Sequence, residues 1–457
     1  DDKKDIQKNA DLKIDSPNIT SMQYSDDGKL FLIVDSEIGV QIYSTEQGKQ
    51  LLTIERKNVF ATHISPENTY LLTWERFNIE NNQNRDNLRI WDLKTGKTVV
   101  SFTQKAFAKE HWPTIKWSND EKIAGRIVSN EVQFFNSGDF ENIVKRIKLD
   151  GVSQFSFAPH PTKTTVAVFS PEAKGKAATV AVYDYPDCEN ATASKSFYKA
   201  QECVFRWNSN GCYLLISTHT EVDETGQSYY GVDGLHFLAA NGKRSCTVPL
   251  KAEGSIHDVA WSPDGQRFCV VYGRMPSFAT LFDLKADPVA EFGQGARNTL
   301  AYAPNGRVMM LGGFGNLPGT FELYDPRKLK VVGDATAHCS AVQLWSPNSR
   351  FLLCGVLSPR IRVDNGFTIF YYDGTEVYTE QIEELFDCMW QPSLPKVYPS
   401  VPLSPRVYER SAKAAQPDKP DDKPKSTGAY VPPALRNKQR TGPSSVTAAL
   451  RGNQETD

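Results

Sequence analysis

The chain lacks the short motifs that mark most catalytic and nucleotide-binding proteins. Its 457 residues contain no GxxxxGK[ST] and no HExxH, so neither a phosphate loop feeding a helix nor a helical zinc site is encoded. There is no CxxC pair among the eight cysteines, at 188, 203, 212, 246, 269, 339, 354 and 388, which argues against a structural zinc site. Cys269 in RFCVVY and Cys354 in FLLCGV read as small buried hydrophobes. Seven histidines, at 63, 111, 160, 219, 236, 257 and 338, are spread through the chain in no metal or triad context. No apolar run approaches the ~18 residues of a membrane span, and the start does not resemble a signal peptide. The net charge is −2, too small for a global nucleic-acid footprint. These absences lead us to expect a cytoplasmic, monomeric protein of a reducing compartment, not an enzyme, with no cofactor, no metal and no membrane partner. In such a compartment the sequons at Asn18 and Asn190 carry little meaning.

What the chain does hold is a repeat. With 40% hydrophobic and 11% aromatic residues it can bury a large core, and one phrase recurs through it. An apolar strand meets a Ser/Ala-Pro-Asp/Asn-Gly-like turn and another apolar strand follows. The copies are YSDDG at 24, ISPEN at 64, WSNDE at 117, FAPHP at 157, WNSNG at 207, WSPDG at 261, YAPNG at 302, WSPNS at 345 and WQPSL at 390. Their spacing is 40 to 54 residues. Pro presets φ early in such a turn, and Asp, Asn and Gly tolerate its later positions. An aromatic-Asp pair follows in five units: Trp91-Asp92, Tyr183-Asp184, Phe282-Asp283, Tyr324-Asp325 and Tyr372-Asp373. Four short strands in about 40 to 50 residues is the pattern of a propeller blade.

The fold expected is therefore all-β: a single large WD40-like β-propeller over residues 1–400, nine-bladed, followed by a disordered tail over 401–457. Two smaller propellers are the competing arrangement, and no linker between phrases favours it. The ninth blade is expected to be incomplete. After WQPSLPKVYPS the pattern stops, and only DLKID at 11–15 could supply closing strands. The glycine run GGFGNLPG at 312–319 leads from one strand-like segment into another, TFELYD. It reads as a bulge and turn and not as a phosphate cradle.

The tail departs from the body in charge. From residue 400 onward there are 10 Lys plus Arg against 6 Asp plus Glu, leaving 42 against 48 before it, so a body of −6 carries a tail of +4. AKAAQPDKPDDKPKSTG is too polar to fold alone. Within the tail sits GAYVPPALRNKQR, 428–440, an apolar and basic knot that reads as a linear docking motif. Pro432 and Pro433 hold the backbone extended and lower the entropy cost of docking. Tyr430, Val431 and Leu435 offer apolar anchors, and Arg436, Lys438 and Arg440 offer phosphate contacts. The alternative is that the knot folds back on the propeller.

Longer phrases go beyond a generic propeller. SYYGVDGLHFLAANGK, GGFGNLPG, SPRIRVDNGFTIFYYDG and AYVPPALRNK, in this order and spacing, closely resemble the eukaryotic translation initiation factor 2A family, from about residue 20 to 440. The resemblance implies a nine-bladed propeller and a flexible C-terminal region. It further implies a non-enzymatic factor that brings initiator methionyl-tRNA to the small (40S) ribosomal subunit, codon-dependently and without GTP, for a subset of mRNAs. The partners implied are the small ribosomal subunit, initiator tRNA, mRNA and other initiation factors. On this reading Arg297, Arg360 and Arg362 are candidate ribosome or RNA contacts in propeller loops, against the plainer view of them as solvated loop arginines. The second functional reading is a WD-repeat scaffold in translation that does not bind tRNA itself. The large propeller subunit of initiation factor 3 has a similar architecture, but it is expected to carry an RNA-recognition module ahead of its propeller, for which this sequence leaves no room.

Overall fold

The computed structural model describes residues 13–77, 86–173, 175–198, 200–220, 232–394, 397–400 and 402–404. They form eight four-stranded antiparallel sheets, each made of four consecutive strands paired with their neighbours in chain order. The blades cover residues 19–54, 59–102, 115–148, 154–197, 202–247, 256–295, 299–336 and 342–381, called blades 1 to 8 below. The first strands lie beside one another, that of blade 6 against that of blade 7 and blade 7 against blade 8. The one helical element among the described residues is a single 3-10 turn, Lys109–His111.

The local reasons for each blade are the ones the repeat announces. In five phrases the Ser hydroxyl accepts a hydrogen bond from the N–H five residues on: Leu30 to Ser25 at 3.0 Å, Tyr70 to Ser65 at 2.8 Å, Ile123 to Ser118 at 3.1 Å, Arg267 to Ser262 at 3.0 Å and Phe351 to Ser346 at 3.0 Å. The last residue of the turn is left-handed, as Gly28, Asn68, Glu121, Gly211, Gly265, Gly306 and Ser349 show with φ between 52° and 71°. That conformation is why Gly and Asn dominate the position. The aromatic-Asp pairs close third strands, and the Asp side chain organises the next turn: the Asp92 carboxylate accepts from Thr95 N at 2.7 Å and that of Asp283 from Lys285 N at 2.7 Å.

Side chains facing across the sheets pack blade on blade. Phe268, fully buried, stacks on Phe282 with ring centroids 5.2 Å apart and, with Val259 of its own blade, joins Leu215 and Phe237 of blade 5. Seven such clusters seal the seven junctions from blade 1–2 to blade 7–8. Among the described residues no cluster joins blade 8 to blade 1.

The expected ninth blade is not formed; the propeller has eight. The ninth phrase, at 390, contributes no strand, and residues 13–15 of DLKID form none either. The reason is chemical. Pro399 lies in the stretch where a second strand should run, Pro402 lies just beyond it and Pro395 just before it, and proline cannot donate to a sheet ladder. The phrase instead lies between the last and first blades. The Trp390 indole donates to Leu344 O of blade 8 at 2.9 Å, and Gln391 Nε2 donates to Gly28 O of blade 1 at 2.8 Å.

Candidate functional site: the connection face

A four-stranded antiparallel meander sends its first-to-second and third-to-fourth connections to one end and all other connections to the opposite end. The repeat phrases therefore gather on one face, and six of the eight first-to-second turns are five residues long. Ties run between blades there: Asn208 Nδ2 to Gly265 O at 3.1 Å, Asn305 N to Ser349 Oγ at 2.9 Å and Glu67 N to a Glu121 carboxylate oxygen at 2.7 Å. On the opposite face the second-to-third connections vary from 2 to 12 residues. Irregular connections on a rigid scaffold are where binding groups are usually carried, so this face is the candidate site.

Arg360 and Arg362 stand exposed in the nine-residue connection 357–365. That connection meets the glycine run of blade 7: a Cβ placed on Gly315 would lie 3.2 Å from Arg360 Nη2. The run itself joins strand Met309–Gly312 to strand Thr320–Asp325, so no helix N-terminus points at it. Val363, beside Arg362, is 68% exposed.

Arg297 is different. It is only 8% exposed. Its guanidinium donates to Phe292 O at 2.9 Å and to Tyr324 OH at 3.2 Å, and it pairs with the Glu322 carboxylate. Burial and the nearby Glu322 push the Tyr324 hydroxyl up to about 12. Arg297, read from the sequence as a loop contact, lies in the short connection between blades 6 and 7 and ties the two together, its guanidinium turned inward. Tyr430, Pro432, Pro433, Leu435, Arg436, Lys438 and Arg440 lie outside the described residues.

Sequence reasoning missed a second feature of this face. A cavity of about 270 Å³ lies between blades 3 and 4, and Lys116 and Arg126 line it. Lys116 sits in the short first strand of blade 3, Ile115–Trp117, and Arg126 in the second, Ile123–Val128. Lys116 Nζ donates to Phe155 O of blade 4 at 2.9 Å and lies 5.4 Å from the Phe155 ring centre. Burial brings its ammonium down to about 8. Arg126 lies 4.3 Å over the Phe102 ring. A basic residue between two buried ones, in IKW, with no acid beside it, was the faint signal available.

A third cluster lies at blades 5 and 6. His219 Nδ1 and Asp233 Oδ1 are 2.6 Å apart, and Asp233 Oδ2 accepts Ile256 N at 2.8 Å. Burial raises the Asp258 carboxyl. Cys203 is buried, and burial raises its thiol well above its usual range, the setting of a packing cysteine and not of an activated one. Among the described residues no group of three or more His, Cys, Asp or Glu could hold a metal ion, and no helix is long and apolar enough to cross a membrane.

Fold and faces together define an all-β propeller with a regular turn face and an elaborated connection face. Residues 195–388 match the family described as "Eukaryotic translation initiation factor eIF2A". The chain is 40% identical to eukaryotic translation initiation factor 2A of Dictyostelium discoideum, over 92% of this chain and 67% of the relative. It is 36% identical to the Schizosaccharomyces pombe factor of that name, over 92% and 73%. A solved structure titled "Crystal structure of the eukaryotic initiation factor" is 33% identical, covers 84% of this chain and 93% of its own, and superposes with a TM-score of 0.77. The chain belongs to the eukaryotic translation initiation factor 2A family.

Proposed function

We propose that the chain is a non-enzymatic, cytoplasmic factor that helps bring initiator methionyl-tRNA to the small ribosomal subunit, codon-dependently and without GTP, on a subset of mRNAs. The observation that carries the reading is the 40% identity to an initiation factor 2A across 92% of the chain. The strand-to-strand course of 312–319 supports the GTP-free part, since that glycine run lacks the helix that anchors a nucleotide phosphate. In this reading the propeller is a platform, and Arg360 and Arg362 contact ribosome or RNA from its connection face. The knot at 428–440 is the tether, with Tyr430, Pro432, Pro433 and Leu435 as anchors and Arg436, Lys438 and Arg440 on phosphate. Three such cations on single-stranded RNA give a salt slope of about −2, a loss of roughly ten- to thirtyfold from 50 to 200 mM salt. That is too little for tight binding alone, so platform and tether act together.

The test is co-sedimentation of the purified chain with small ribosomal subunits, with and without residues 401–457, and with Arg436, Lys438 and Arg440 changed to Ala. Binding that collapses in both variants supports the tether; binding that survives both moves recognition to the propeller. The exposed Val363 favours a second reading, a protein scaffold without direct tRNA contact. Sub-micromolar binding of the chain to isolated RNA in moderate salt would exclude it.

A further inference from the structure

Of the hollows in the described structure, the one between blades 3 and 4 carries positive charge that no acid answers. The cluster at blades 5 and 6 is neutralised from within, its Arg206 facing Asp258 and its His219 paired with Asp233. The outer groove along strand Asp139–Lys148 mixes Lys145 and Lys148 with Asp187 and Glu189. The hollow at Lys116 and Arg126 has no Asp or Glu in its wall. Among the described residues neither cation forms an ion pair. Lys116 has one carbonyl and one ring, and Arg126 has one ring. A half-buried cation is stable when it meets an opposite charge or hydrogen-bond acceptors, and leaving two in one hollow is costly. The Thr114 hydroxyl on the same wall is buried with no hydrogen-bond partner, an unused polar group of the kind that calls for a ligand.

The missing partner can be described chemically. Two cations and a neutral hydroxyl suit a dianion, and a phosphate monoester carries close to two negative charges near neutral pH. The cavity, about 270 Å³, exceeds a bare phosphate, and Ile127 and Phe155 give it an apolar side. We propose that this hollow binds a phosphate monoester, the phosphate held between Lys116 and Arg126 with the Thr114 hydroxyl, and the organic body packed on Ile127 and Phe155. A free nucleotide and the 5′-phosphate of an RNA offer the same group.

Titration calorimetry on the full chain in low salt distinguishes them, with AMP, adenosine, inorganic phosphate, and a short single-stranded RNA with and without a 5′-phosphate as probes. AMP binds and adenosine does not; inorganic phosphate binds more weakly than AMP because it lacks the body. Lys116→Met and Arg126→Met each weaken AMP by about tenfold or more, the loss of one charged hydrogen bond, and Thr114→Val weakens it less. If the phosphorylated RNA binds and its 5′-hydroxyl form does not, the monoester is an RNA end; if AMP binds and neither RNA does, it is a free small molecule. A thermal melt of Lys116→Met without ligand supplies the second readout. Removing an unanswered cation leaves the melting temperature unchanged or higher, whereas a lysine with a purely structural role lowers it. The proposal is overturned by equal binding of AMP and adenosine, by no binding of any probe at millimolar concentration, or by variants that bind AMP as the parent does.

Discussion

The two faces of the propeller are built on opposite principles. On the turn face the same few atoms recur blade after blade: a Ser hydroxyl caps a five-residue turn, a left-handed residue ends it, and side chains such as Asn208 tie one turn to the next. On the connection face lengths run from 2 to 12 residues, and among the described residues no carboxylate pairs with the cations Arg126 and Lys116. Repetition marks where the chain holds itself together, and irregularity marks where it is open to other molecules. Substitutions should separate the two, moving stability on the first face and binding on the second.

The largest effects fall on the turn face. Asn208 is fully buried, its Oδ1 accepting from Cys212 N and Tyr213 N and its Nδ2 donating to Gly265 O. Asn208→Ala takes this partner from Tyr213 N and Gly265 O, while Cys212 N keeps Asn210 Oδ1 at 3.0 Å, and should cost about 2–3 kcal/mol. Gly28→Ala should cost a similar ~2–3 kcal/mol, because φ is +71° and the new Cβ would sit 2.0 Å from Pro392 O, parting the ninth phrase from blade 1. Urea titration measures both. Loss of subunit binding in either variant, with stability unchanged, would break the contrast between the faces.

Arg297 sharpens the comparison because it lies beside the connection face and serves the interior. Arg297→Ala removes the donor to Phe292 O and Tyr324 OH and takes its cation from Glu322, which keeps the Tyr324 hydroxyl at 3.0 Å. It should cost about 2 kcal/mol in denaturant titration and leave the salt slope of subunit binding as it was. A flatter salt slope would return Arg297 to the list of contact residues.

A smaller effect belongs to pH. His236 packs 4.4 Å from the Phe197 ring, and burial, with Lys195 adding to it, brings its imidazole down to about 4. The unfolded imidazole titrates near 6.5, so between about 6.5 and 4 the unfolded state binds the extra proton. Stability is full above that window and falls as pH drops through it, by about 1 kcal/mol at pH 5 once its partial exposure is discounted. His236→Gln should remove that part of the slope between pH 7 and 5. An unchanged slope would mean that other groups carry it.

Legibility in the sequence followed the same division. The repeat phrase and the aromatic-Asp pairs placed the turns because each is a local rule: a hydroxyl cap five residues long, a left-handed position for Asn68 or Gly265, an Asp that organises the next three residues. The blade count failed where a local rule met a competing one. WQPSL has the phrase, but the prolines after it deny it a ladder. The burial of Arg297 was not legible because its partner, Glu322, is 25 residues away in strand Thr320–Asp325, and sequence proximity says nothing of that. Lys116 and Arg126 escaped notice for the same reason, since what distinguishes them is that, among the described residues, no acid reaches their hollow from neighbouring blades in space. The connection face is irregular by construction, so no period could reveal it.

The smallest effect on stability is the most informative for function. Arg360 and Arg362 are exposed, and no ion pair holds either among the described residues. Arg360→Glu with Arg362→Glu should change unfolding free energy by less than about 0.5 kcal/mol. On a phosphate-rich surface the same pair replaces two attractions with two repulsions. Subunit binding should fall about tenfold or more at low salt, and the deficit should shrink as salt screens it. Restoring both as lysine should recover most of the binding if the contacts are to phosphate as point charges, and little of it if they are bidentate. A double variant that binds subunits as the parent does, at every salt concentration, would leave the elaborated face to protein partners and the exposed Val363 as its better anchor.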